Sequence, residues 1–142
     1  MSVRPVKKQY ETVELFPSEA LLAGSDTGTE GRLPICNGVA FVLDVTAAAT
    51  DVGDTLDVFV QTRIGDNWID VVHFTQVLGD GGAKRWIAKL ASGTAQTEFN
   101  NATALGAAAV RHLLGDAWRV RSTIVDANAN GGFTFSVDAC PE

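Results

Sequence analysis

The chain has 142 residues, 46% of them apolar and 20% charged, which is enough for one domain with a core of its own. Its net charge of −6 and pI near 4.8 argue against a nucleic-acid partner, because displacing counterions from phosphates takes a surplus of lysine and arginine. No apolar run approaches the roughly 20 residues of a bilayer span, and the N-terminus lacks an apolar stretch before a small-residue cleavage site, so neither a membrane nor a secretory route is expected.

Charge is distributed unevenly from the start. Arg4, Lys7 and Lys8 precede the first acid, Glu11, whereas Tyr10 to Glu142 holds eight basic and seventeen acidic residues. A basic arm, 1–9, ahead of a single domain, 10–142, is the expected organisation, and such an arm suits an acidic neighbour. "YETVELFP" alternates weakly and predicts a first strand ending at Pro17. Residues 18–38 are rich in Gly, Ser, Thr and Asp and read as a loop, with one short paired segment around Ala20 to Ala23. "VAFVLDVTAA" from Val39 is apolar nearly throughout, as in a strand covered on both faces.

"TLDVFVQTRI" has the clearest period of two. Leu56, Val58, Val60, Thr62 and Ile64 point one way, and Asp57, Phe59, Gln61 and Arg63 point to a wet face. "GDN" turns the chain into "WIDVVHFTQVL", "GDGG" forms a loop, and "AKRWIAKLA" follows as a strand. Residues 102–114 fit a helix, with Gly115 past its end, or a loop entering a strand at Val110 that pairs with "WRVRSTI" across a Gly115–Asp116 turn. The second reading is preferred, since Gly106 weakens a helix by up to about 1 kcal/mol. Trp118, Val120, Ser122 and Ile124 then alternate with Arg119, Arg121, Thr123 and Val125, and Phe133, Phe135 and Val137 share a face. Seven or eight such strands joined by short polar turns predict an all-β, antiparallel sandwich or jelly roll.

Catalytic motifs are missing: the sequence has no GxSxG, HExxH, P-loop or GxGxxG. His73 and His112 are the only histidines and have no metal-ligand spacing, and His73 reads as a surface or satisfied core residue. Asp57 and Asp70, on adjacent strands, would make a glycosidase pair only if held about 5 to 10 Å apart. Cys36 and Cys140, without a CxxC spacing, are expected to be free, buried thiols. "DANANGG" opens like a calcium loop, with Asp126, Asn128 and Asn130 as oxygen donors, but Val137 stands where a bidentate Glu is needed. A plain turn is expected there, with no metal and no cofactor. Trp68, Trp86 and Trp118 stand beside charges on β-segments, as plugs of a sandwich end or as contact residues.

The order of "VAFVLDVTAAA", "DTLDVFVQTRIGDNWIDVVHFTQV", "LGDAWRVRSTI" and "GGFTFSVDA" resembles small virion proteins of tailed phages. That resemblance spans about Tyr10 to Ala139 and implies a head decoration (cement) protein with a jelly-roll sandwich. Such proteins group, often as trimers, on the capsid exterior after synthesis in the host cytoplasm. It further implies a non-enzymatic role, with the major capsid protein as partner. Charge asymmetry makes Arg4, Lys7, Lys8 and Tyr10 the candidate capsid-binding arm. Strand alternation makes Arg63, Trp68, Arg119 and Arg121 the candidate subunit interface. The alternative is a carbohydrate-binding sandwich, with Trp68 or Trp86 as a stacking platform and calcium at Asp126, Asn128 and Asn130.

Overall fold

The first described strand pairs with the last. The computed structural model describes residues 11–126 and 132–142. The strands in it are β1 (Val13–Leu21), β2 (Gly24–Thr27), β3 (Gly38–Ala47), β4 (Thr55–Ile64), β5 (Asn67–His73), β6 (Val77–Leu78), β7 (Lys84–Ala91), β8 (Ala109–Val110), β9 (Trp118–Val125) and β10 (Phe133–Pro141). One sheet runs β1-β10-β3-β7 and the other β2-β9-β4-β5-β8, with β6 also paired to β4, and every pairing is antiparallel. Leaving out the two-residue strands β6 and β8, first pairs with last, second with next to last, third with third from last, and the middle two with each other. That is a long hairpin rolled into two layers, a jelly roll.

The core follows from strict alternation. Along β10, Phe133, Phe135, Val137 and Ala139 are buried, with half-exposed residues between them. Along β9, Trp118, Val120, Ser122 and Ile124 do the same. Val39, Phe41, Leu43 and Val45 of β3 meet Leu56, Val58 and Val60 of β4 within one cluster. The predicted phases of β9 and β10 therefore hold. Trp118 lies against Phe41, ring centroids 5.5 Å apart, and closes the cluster as a plug.

Several expectations change. β1 continues through Pro17 instead of ending there, because it is an edge strand and its pairing is irregular between Phe16 and Glu19, where a missing N–H costs little. Of the short segment expected around Ala20 to Ala23, Ala20 and Leu21 do pair, as the end of β1, and a separate short strand follows from Gly24, where φ is +127°. β3 is not covered on both faces: Ala40, Val42 and Asp44 stay half-exposed on the outer side. Conversely, the wet face of β4 is partly sealed, with Phe59 and Gln61 below one-tenth exposure. Residues 102–114 form no helix. The segment is a loop with β8, and β8 pairs with β5, not with β9. Cys36 and Cys140 are free, as expected, but half-buried, and burial pushes the Cys36 thiol up.

The β4–β5 turn needs Gly65, whose φ of +62° is what tight hairpin turns demand. Gly115 is fixed for a different reason. Its N–H donates to the Thr62 hydroxyl at 3.0 Å, and a Cβ there would overlap the Arg63 carbonyl oxygen. Gly115→Ala is expected to lower stability by about 2 kcal/mol through overpacking, read from chemical denaturation. An unchanged midpoint would mean that residues 111–117 yield freely.

Candidate functional site: the outer face of the β2–β8 sheet

Residues that strand alternation sends outward from β9, β4 and β5 form one continuous polar and aromatic layer. The registers place Arg121 opposite Phe59 and Phe59 opposite His73, Arg119 opposite Gln61 and Gln61 opposite Asp70, and Arg63 opposite Trp68. Cross-strand neighbours on one face sit close enough to interact directly, and here the long side chains interlock.

Asp70 is the hub. Its Oδ1 accepts from Gln61 Nε2 at 2.9 Å and its Oδ2 from Arg121 at 3.1 Å. The Gln61 carbonyl oxygen accepts from Arg119 Nε at 2.7 Å. The Arg119 guanidinium lies 4.1 Å from the Trp68 ring centre, and that of Arg121 lies 3.8 Å from the Phe59 ring centre. These are close cation–π contacts. Burial first, and repulsion from Arg121 second, lower the Arg119 guanidinium from the ordinary arginine value. It remains a cation in any case. Arg63 grips Asp116 with two nitrogens at 3.2 Å and reaches Glu30 at 3.4 Å. That hydrogen bond from Arg63 holds the Asp116 carboxyl below its ordinary value.

Further along the face, the Phe59 and His73 rings stack at 3.9 Å. His73 Nδ1 lies 2.8 Å from the Leu105 carbonyl oxygen and Nε2 lies 2.9 Å from Asp57 Oδ1. The carbonyl and the carboxylate both accept, so the ring donates to one or the other from whichever nitrogen carries the proton. Asp57 also accepts from Gln76 at 2.8 Å. His73 is thus a satisfied, buried side chain, as expected. It also ties down the 92–108 loop, which sequence reading did not foresee.

Sequence reading also missed Arg111. It is 7% exposed, donates to the main-chain carbonyls of Asp70 and Thr103 at 3.2 Å, and lies 4.0 Å from the Phe99 ring centre. A buried guanidinium bonded to carbonyls and stacked on an aromatic ring pins a loop while keeping its charge beside the face. The nearest signal in the sequence is an arginine, beside a histidine, in the largely apolar "AAAVRHLL".

The four candidate interface residues, Arg63, Trp68, Arg119 and Arg121, therefore do come together on one surface. Asp57 and Asp70 do not form a catalytic pair. Asp70 is opposite Gln61, four residues beyond Asp57 along β4, which puts the two backbones roughly 13 Å apart. Each acid is already engaged by other partners.

Trp68 carries Arg119 on its ring, and Trp86 lies on β7 at the rim of an open cleft shared with His73, Ile87, Lys89 and Val110. Asp126 stands with Asp51 and Asp54, one oxygen of each within 4.8 Å of the others. This is an acidic cluster beside a turn, and no metal is assigned to it. Asn128 and Asn130, and the arm residues Arg4, Lys7, Lys8 and Tyr10, lie outside the described residues.

No protein-family model matches the chain, and no curated protein matches it. Among solved structures it is similar to VP2 of infectious bursal disease virus, in the crystal structure of its subviral particle, with a TM-score of 0.49 and 10% identity. The match covers 94% of this chain and 32% of that one, so the chain spans about a third of its neighbour's length.

Proposed function

We propose that this chain is a non-enzymatic structural protein of a virus particle, of the capsid decoration type. In this reading it assembles as a homo-oligomer, a trimer, on the capsid exterior and binds the lattice of major capsid protein. The observation that carries the reading is the convergence of Trp68, Arg63, Arg119 and Arg121 on one outer face of an otherwise acidic jelly roll. Aromatic and arginine side chains are those that dominate protein–protein contacts. The resemblance of the segments around β3, β4–β5, β9 and β10 to tailed-phage virion proteins supports the same reading.

Stabilisation would work by mass action. A protein that prefers the expanded, assembled lattice shifts the balance toward it by its binding free energy, and many identical weak contacts add through avidity. The basic arm supplies the lattice contact, with Arg4, Lys7, Lys8 and Tyr10 reaching the capsid protein. The test is occupancy on expanded heads assembled from the major capsid protein of the same virus. The full chain is expected to saturate them, and the chain without residues 1–9 to bind at least tenfold more weakly. Equal occupancy after deletion would remove the arm from the mechanism, and no binding by the full chain would overturn the decoration reading.

A further inference from the structure

The two outer faces of the sandwich carry opposite unmet charge. On the outer face of the β1-β10-β3-β7 sheet, one cross-strand row reads Glu14, Asp138, Val42, Ile87. Glu14 and Asp138 are directly opposite each other, an arrangement that like charges disfavour. Among the described residues neither acid makes an ion pair. Beside them Val42 is half-exposed and Ile87 is 69% exposed. The row is thus an acidic half followed by an apolar half.

The opposite face has the complementary order. Arg119 lies 4.1 Å from the Trp68 ring centre and is anchored by its Nε bond to Gln61, and its two terminal nitrogens make no hydrogen bond to any described residue. They form an open, preoriented fork of the kind that takes a carboxylate with two bonds. Trp68 beside it offers apolar ring area.

We propose that these two faces meet between copies of the chain, the Arg119 fork of one copy taking Asp138 and Glu14 of the next while Trp68 packs on Val42 and Ile87. This rests on the self-associating reading above and supplies the second half of its interface. Because the two surfaces differ, the contact is head-to-tail: it closes into a ring, such as a trimer, where the rotation allows, and otherwise continues as a filament. A second copy is the occupant because both halves of the complementary pair belong to this one sequence.

The test is a charge swap followed by sedimentation at low and high salt. The full chain is expected to associate, more weakly at high salt because the contact is partly electrostatic. Arg119→Glu and Asp138→Lys are each expected to weaken association at least tenfold, and the double variant to restore it. Equimolar mixing of the two single variants should restore contacts between unlike variants, which an even ring or a filament satisfies throughout and a closed trimer at only two of its three interfaces. Should Arg119→Glu fail to fold, as judged by circular dichroism, Glu14→Lys with Asp138→Lys on the far face tests the same contact. A monomeric full chain, single variants that associate normally, or a double variant that stays dissociated would each overturn the proposal. So would loss of association on removing residues 1–9, which would give the acids to the arm. Head occupancy separates the two claims: a monomer that still decorates heads defeats only this interface, and a swap-rescued oligomer that ignores heads defeats only the decoration reading.

Discussion

Phe135→Ala is expected to lower stability by about 3 to 5 kcal/mol, the range for removing a large buried aromatic. Phe135 is fully buried in the middle of β10, the strand that joins β1 to β3. Its ring stacks on Phe16 with centroids 5.0 Å apart and planes 10° from parallel. Deleting it leaves a cavity and also removes the partner that anchors Phe16 just before the irregular stretch at Pro17. Little compensates on that side, because β1 is an edge strand with pairing on one side only. The loss should therefore appear as a fall in melting temperature of about 9 to 15 °C, at roughly 3 °C per kcal/mol for a chain of this size. It should also raise amide exchange in β1 more than in β4. Phe16→Leu, which keeps most of the volume, should cost less than half as much. A Phe135→Ala protein within 1 kcal/mol of the parent, by denaturant titration, would mean that the centre of the sandwich is not where its cohesion lies.

The parts of the fold that could be read from sequence are those where one face is sealed and the other is wet. β9 and β10 alternate without a break, so each residue's direction follows from its neighbour's, and both phases hold in the structure. The reading failed where a residue's surroundings come from another strand. Phe59 and Gln61 alternate as outward residues, and they do point outward, yet they are buried. What covers them is Arg121, Arg119 and His73, whose side chains reach across from β9 and β5. No local pattern around residue 59 records that. Pro17 is the converse case. A proline argues for a strand end only if its missing N–H had a partner, and partners depend on whether the strand is central or at an edge.

The candidate site divides in the same way. Arg63, Trp68, Arg119 and Arg121 could be grouped from sequence because strand parity puts them on outward positions, and hairpin pairing then brings β4 and β5 side by side. Arg111 could not be found this way. Its acceptors are carbonyls 8 and 41 residues away, supplied by a loop and by a strand edge. The alanine-rich run before it has no periodicity strong enough to separate a helix from a loop, and its outcome was decided by the β5 edge it lies on. The acidic row Glu14–Asp138 is equally invisible locally, being made by the pairing of the first strand with the last.

Asp70 decides whether the arginine face is held together by its own charges or only by packing. Its carboxylate accepts from Gln61 and Arg121, and both Asp70 and Arg121 are mostly shielded, with side-chain exposures of 15% and 30%. Asp70→Ala leaves Arg121 without its carboxylate while Arg119 and Arg111 remain close by. The expected cost is about 2 to 3 kcal/mol, the range for a shielded hydrogen bond to a charged group. Part of that cost is repulsion among guanidiniums, so added salt should reduce it. Asp70→Asn keeps an acceptor for Gln61 and should cost less. The loop should respond differently, because Arg111 binds the main-chain carbonyl of Asp70, which survives the substitution. Amide exchange in residues 103–110 is therefore expected to stay near that of the parent while β9 loosens. If Asp70→Ala were neutral at low salt, or if the loop opened before β9, the carboxylate would not be the keystone of this face, and stacking on Trp68 and Phe59 would have to hold the arginines instead.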